Sequence, residues 1–474
     1  MQITTTSKVN QVNTNNIGIL ENMDATEIAT QIKNKAFTVQ EVIDCVRERV
    51  AIAEPKINAI VSSDYNLKID QLNLDKKAVF YGVPTYIKDL VDVKGLPTRH
   101  GSLGVPNDII KKSDPITKQI ESTGCLIVGK SATSEFGLLP SCETFVNGAT
   151  RNPVNLDYST GGSSGGGAAL VAAGIVPFAH TMDGGGSTRI PAACCGLIGL
   201  KPSRGRHVNS FTKKLPVDIV TSGIVSRTVR DSANYYTAID QYNKKSKLPP
   251  IANIQNQPSK RLKIGIFTAN PAGVESHPDI CNAIVEAGKS CESLGHHVEL
   301  IKNPINEMVM LDFIIYYSFL ANLNNRFGKF SYHRKFDASK TEPFTQELAA
   351  HFNKLMVMAP SSFKRLRNNV VEEYNAAFSN YDLLLNPVLA SPVVKIGYLG
   401  TDVPFMSMIM RMNSYAIFTM TQNITGAPAI SLPMGKDSNG LPIGVQIGSK
   451  IGDEKTLLEL AFELESAGML DSSN

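Results

Sequence analysis

Twelve of the chain's 36 glycines fall between residues 161 and 205, in TGGSSGGGAALVAAGIVPFAHTMDGGGSTRIPAACCGLIGLKPSRGR. Glycine in such numbers destabilises regular structure unless the backbone must turn tightly or approach another group closely. The intervening runs AALVAAGIVPFA and IPAACCGLIGL are apolar, so the stretch reads as packed interior, not as a flexible linker. Three kinds of site fit a buried, glycine-rich backbone. A phosphate cradle needs G-K-[ST] after the glycines, which neither cluster has, and no strand–GxGxxG–helix unit is evident. A nucleophile elbow is satisfied locally by Gly161-Gly162-Ser163-Ser164-Gly165, but needs an acid and then a histidine downstream. His351 is available for that role, although no local signature marks it.

The third kind of site uses both clusters. Asp183-Gly184-Gly185-Gly186-Ser187 is a turn whose successive N–H groups can converge on the oxygen of an attacked carbonyl. Ser187 closes the turn beside that carbon. A serine hydroxyl is a weak nucleophile until its proton is removed. Ser163, 24 residues earlier, can relay that proton, and it then needs a base of its own. Lys88, at the end of the apolar run Gly82–Ile87, supplies one if burial disfavours its charged form. Ser164 reads as a hydroxyl bonding local backbone, Asp183 as an acceptor pinning the turn, and Arg189 as half of a structural ion pair. Cys194 and Cys195 read as packing, and His180 as a hydrogen-bonded structural histidine.

The rest of the chain alternates helix and strand signals. Asp24-Ala25-Thr26-Glu27 and Thr38-Val39-Gln40-Glu41 fit the capping-box pattern at helix starts. INAIVSS, CLIVG, RLKIGIF and HVELI read as strands. Asp114-Pro115 opens a helix stopping at Gly124, and 278–294 is a helix ending before Gly295. This alternation predicts an α/β fold with a largely parallel sheet. Residues 1–20 read as a polar tail and 21–474 as a single domain, with 244–260 an exposed connection. Residues 303–380 read as mainly helical, and periodicity favours core over pocket wall for DFIIYYSFLANL.

Composition narrows the partners. A net charge of +4 without runs of like charge disfavours a nucleic-acid footprint or a polybasic membrane patch. Eight histidines and seven cysteines show no H-E-x-x-H or C-x-x-C spacing, so neither a metal nor another cofactor is expected. The start lacks an apolar signal segment and no run is long enough to span a bilayer, which predicts a cytoplasmic protein with reduced thiols.

GVPTYIKDL, TGGSSGGGAALVAAG, DGGGSTRIPAACCGLIGLKPSRGR and the closing LPIGVQIGSK with EKTLLELAFELE together resemble the motifs of the amidase signature family, in order and in spacing. The resemblance covers most of the chain. It implies a signature core at about 80–210, a helical substrate-pocket region at about 303–420, and one mixed sheet of about eleven strands flanked by helices. It implies that Ser187 is the acylated serine, that Ser163 sits on a cis peptide bond and bridges to Lys88, and that the N–H groups of Gly184, Gly185, Gly186 and Ser187 form the oxyanion hole. Ala132 and Ser134 stand where many members carry Asn and Pro, which bears on the substrate. DGGGS, AHTMD and KPSRGR are most similar to general bacterial amidases of the 6-aminohexanoate-cyclic-dimer hydrolase type, acting on small-molecule amides. A homodimer is compatible with that type. A glutamine-hydrolysing subunit of an aminoacyl-tRNA amidotransferase is the alternative within the family. A catalytically silent amide-binding protein is the alternative outside enzymes.

Overall fold

Signals whose partners lie close in sequence act as expected. Thr38 and Glu41 close a full capping box on helix Val39–Ile57, and Asp24 accepts from Glu27 N–H at the start of helix Ala25–Lys33. Pro115 opens helix Pro115–Glu121, and Pro278 opens helix Pro278–Ser293. Residues 244–260 form no helix or strand and are mostly exposed. The computed structural model describes residues 10–66, 74–208 and 214–471.

The main sheet has eight strands, in the order His297–Leu300, Lys263–Ile266, Leu383–Pro387, Pro442–Gly448, Ala429–Lys436, Ile198–Lys201, Thr221–Ser226, Phe178–Asp183. Only the first two joints are parallel, and the other five are antiparallel. The expectation of a largely parallel sheet is therefore corrected to a mixed one. Strand Lys263–Ile266, helix Pro278–Ser293 and strand His297–Leu300 do form a parallel crossover unit. Elsewhere Thr221–Ser226 inserts between Phe178–Asp183 and Ile198–Lys201, although the helix between those two strands would suit parallel neighbours.

Three further strands, Ile60–Ser63, Leu126–Ser131 and Pro84–Lys88, form a separate sheet. Among the described residues the expected single sheet of about eleven strands is thus divided into an eight-stranded and a three-stranded sheet, and two two-stranded ribbons stand apart from both. At the seam, Pro84–Lys88 meets Phe178–Asp183 through Thr85 Oγ1 donating to Phe178 O at 3.0 Å and Lys88 N–H donating to His180 Nδ1 at 3.3 Å. The glycine-rich helix Gly165–Ala172 is buried along its whole length. A Cβ on Gly166 would stand 2.4 Å from Ala132 N, so only glycine permits this approach of two backbones.

Residues 10–20 correct the expectation of a loose tail, while 1–9 lie outside the described residues. Val12, Thr14 and Asn15 are buried, and Val12 N–H and Thr14 N–H donate to Pro153 O and Ala173 O. The cause is Arg49, itself buried, whose guanidinium makes five hydrogen bonds to the carbonyl oxygens of Asn15, Ile17, Glu21 and Gly174. A polar segment looks soluble in sequence, but its carbonyls are acceptors that a distant cation can recruit. Arg49→Ala is expected to destabilise the protein by about 3 kcal/mol, read as a lower urea midpoint, with faster protease cleavage ahead of residue 21.

Candidate active site

Three backbone segments converge at the seam between the sheets. Strand Pro84–Lys88 is buried throughout and ends on Lys88. Ser163 and Ser164 immediately precede helix Gly165–Ala172, and the Gly162–Ser163 peptide bond is cis. Strand Phe178–Asp183 runs into the 184–187 turn, after which helix Arg189–Cys195 begins.

Lys88 Nζ donates to Ser163 Oγ at 2.6 Å, to Ser164 Oγ at 2.8 Å and to Met182 O at 3.3 Å. No carboxylate stands within ion-pair distance of it among the described residues. Burial lowers its pKa to about 7, and the nearby acidic groups, Cys142 and Asp183, only partly oppose that. His180 accepts the Lys88 N–H at Nδ1, so its Nε2 carries the proton and donates to Ser222 Oγ at 3.1 Å. Burial holds this histidine well below its ordinary pKa, so it is neutral and structural. Ser187 borders the same cavity as Lys88 and Ser163, but no hydrogen bond joins Ser187 to Ser163. Apo sites commonly leave such a contact open until substrate closes it.

Asp183 and Arg189 hold the turn. Both are fully buried. Arg189 Nε and Nη2 donate to the two Asp183 oxygens at 3.0 and 2.9 Å. Its remaining donors go to Gln422 Oε1, Gln446 Oε1 and Asn423 Oδ1. All five guanidinium donors are therefore satisfied. Burial pushes the Asp183 carboxyl pKa up, but Arg189 outweighs it and holds the group well below the usual carboxylate range. Asp183 also accepts from Gly186 N–H at 2.7 Å and Thr188 N–H at 3.1 Å. This corrects the expected oxyanion hole: Gly186 N–H is committed to Asp183 and cannot face a substrate. The N–H groups of Gly184, Gly185 and Ser187 have no hydrogen-bond acceptor among the described residues. Gly186 has φ of +128°, and Thr419 Oγ1 donates to Gly185 O at 2.5 Å, which sets the direction of the neighbouring N–H groups.

Two cavities meet at the turn. The larger, about 320 Å³, is bordered by Lys88, Ser163, Ser187, Gly184 and an apolar wall. The smaller, about 60 Å³, is bordered by Ser187, Gly185, Ile190, Phe313 and Met412. Helix Met308–Ser331 presents Tyr317, Leu320, Asn324, Phe327 and Ser331 to the larger cavity, at helical spacing along one face. Asp312, Ile315, Tyr316 and Ser318 on the same helix are buried. The segment 312–323 is thus both core and pocket wall, which periodicity alone does not separate. Ala132 and Ser134 border neither cavity. Ser134 Oγ instead donates to Leu139 O and accepts from Leu139 N–H, bracing the Phe136–Pro140 loop that does border them.

Ser163, Ser164, Lys88, Asp183, Arg189 and Ser187 are thus gathered within one site. The amidase family model matches residues 41–458. The chain belongs to the amidase family. Amidases hydrolyse amide carbon–nitrogen bonds, and that is the reaction class of this one. AmiC of Mycobacterium tuberculosis, whose amidase activity is itself inferred, is 37% identical over 453 residues, 94% of this chain and 95% of that protein. A glutamyl-tRNA(Gln) amidotransferase subunit from Shouchella clausii is 30% identical over 475 residues, 93% of this chain and 96% of that one. The solved structure of 6-aminohexanoate cyclic dimer hydrolase superposes with a TM-score of 0.85 at 27% identity, covering 94% of this amidase and 96% of that chain. No helix among the described residues of this amidase is long and apolar enough to cross a membrane.

Gln422, Asn423 and Gln446 were not expected as partners of Arg189. Gln446 lies in the closing LPIGVQIGSK motif, and Tyr317 and Thr419 lie in the 303–420 region expected to form the pocket, but nothing in the sequence singled out any of the five, all more than a hundred residues from the glycine-rich stretch. In this amidase Arg189→Met is expected to cost about 3–5 kcal/mol, because it leaves the buried Asp183 charge unpaired. A thermal melt and loss of turnover together check it.

Proposed function

We propose that this amidase cleaves small-molecule amides through a proton chain from Ser187 to Ser163 to Lys88, with an acyl-enzyme on Ser187. The observation that carries this is the buried contact of Lys88 Nζ with Ser163 Oγ at 2.6 Å, with the lysine lowered to about 7. A neutral amine has a lone pair to accept a proton, whereas an ammonium does not. Substrate binding closes Ser187 onto Ser163. Ser187 loses its proton to Ser163 as Ser163 passes its own to Lys88. The Ser187 oxygen bonds the amide carbon, and the carbonyl electrons move to oxygen. The free N–H groups of Gly184, Gly185 and Ser187 stand ready to hold that oxyanion. The carbon–nitrogen bond then breaks, the nitrogen takes a proton from Ser163, and Lys88 returns one to Ser163. Water repeats the sequence on the ester, releasing the acid and restoring the Ser187 hydroxyl. Ser164 positions Lys88 by accepting its second hydrogen bond at 2.8 Å.

The likeness to glutamine-hydrolysing subunits supports a second reading, a glutaminase working in a complex on aminoacyl-tRNA. Glutamine brings an ammonium and a carboxylate, each needing a partner when desolvated. Among the described residues bordering the two cavities, Lys88 is the only Lys, Arg, Asp or Glu. That composition favours a neutral substrate. Turnover of simple anilides by the purified chain checks the choice; activity on glutamine alone, and only with a partner, would reverse it.

Ser187→Ala is expected to abolish turnover and stoichiometric labelling by a fluorophosphonate, which also tests a silent binding protein. Lys88→Ala is expected to lower kcat/KM at least ~1000-fold with the fold retained. Wild-type turnover in that variant would remove the lysine from the mechanism. In the native protein kcat/KM should fall as pH drops through about 7, because protonation of Lys88 removes the base. The Lys88→Ala variant should lose that acid limb.

A further inference from the structure

Ser187 stands at a waist. Four residues, Gly137, Leu138, Ser187 and Tyr317, border both cavities, while Gly184 faces only the larger and Gly185 only the smaller. An amide carbon held against Ser187 therefore has one substituent directed to each side. The two sides are not equivalent. Lys88 and Ser163 border only the larger cavity. The leaving nitrogen must take its proton from a donor within hydrogen-bond reach. On the chain of groups proposed above, that donor is Ser163. The nitrogen, and whatever it carries, then faces the larger cavity, and the acyl group faces the smaller.

We propose that the two cavities sort the halves of the substrate, taking a short apolar acyl group in the smaller and a bulky apolar amine, best an aryl amine, in the larger. The smaller cavity, about 60 Å³, is less than half the ~150 Å³ that takes one benzene ring, which limits the acyl group to about two to four carbons. Phe313, Ile190, Ile409 and Met412 wall it. The larger cavity, about 320 Å³, suits an amine of drug-like size. Its aromatic wall is continuous: the His100 and Phe136 rings stand 4.5 and 5.0 Å from Tyr332. Such a wall receives an aryl ring edge-on or offset. Departure of the amine also opens the larger cavity to water on the side where Lys88 and Ser163 can deprotonate it.

The inference rests on Ser187 and Lys88 acting as proposed, and two substrate series test it on the wild-type protein. With aniline held constant, acetyl and butyryl anilides should turn over, and octanoyl anilide should be at least ~100-fold poorer in kcat/KM. With acetyl held constant, the N-phenyl amide should exceed the N-methyl amide at least ~10-fold. Phe313→Ala should recover octanoyl anilide at least ~10-fold and leave the order among amines unchanged, whereas Leu320→Trp should penalise the anilide more than the N-methyl amide. A preference for octanoyl over acetyl anilide, or for N-methyl over N-phenyl, would overturn the sorting. The wild-type series decides even if either variant fails to fold. Fluorophosphonate labelling of the same preparation separates the two levels. A labelled Ser187 with reversed chain-length preference overturns the sorting alone. An unlabelled Ser187 without turnover overturns the mechanism and the sorting together.

Discussion

The buried ion pair between Asp183 and Arg189 is the contact on which the site depends. It joins the end of one strand to the first residue of the next helix, and through Gln422, Asn423 and Gln446 it reaches two more elements. A buried pair of this kind does not stabilise by attraction alone, because both charges lost their water. What it does is position. With every guanidinium donor satisfied and both carboxylate oxygens occupied, the 184–187 turn has one arrangement, and Gly186 N–H is drawn inward as part of it. The N–H groups of Gly184, Gly185 and Ser187 are left without an acceptor among the described residues.

The same pair explains how a lysine can lie near an aspartate and still be lowered to about 7. Arg189 already neutralises Asp183, so the carboxylate gives Lys88 little counter-charge. Burial then dominates and disfavours the ammonium. Hydroxyls and a carbonyl surround the amine, and these hold it in place without fixing its charge. A carboxylate in place of Ser164 would restore the ammonium and remove the base.

Legibility in the sequence followed distance along the chain. Capping at Thr38 and helix entry at Pro115 and Pro278 depend on residues within a few positions, and these were readable. The glycine clusters signalled a close approach, but not that the approaching backbone is Ala132, 34 residues from Gly166. The pinning role of Asp183 was readable too, since Gly186 and Thr188 are its near neighbours. Strand direction was not, because the insertion of Thr221–Ser226 between two earlier strands leaves no mark in local alternation. Nor was the fate of residues 10–20, which depends on Arg49 more than thirty residues away. Helix Met308–Ser331 shows a third limit: an apolar stripe has the same spacing whether it meets core or an empty cavity.

The sequence by itself determined which chemical groups are available and in what local backbone: a serine closing a triple-glycine turn, a second serine beside packed glycines, and a lysine ending an apolar strand. These follow from side-chain chemistry and steric freedom over a few residues. Only the tertiary structure decided that the three meet at a seam between two sheets, that the lysine is buried, that Gly186 turns away, and that Ser187 divides two apolar cavities of unequal size. Desolvation and cavity shape are properties of everything packed around a group, so no stretch of chain encodes them alone.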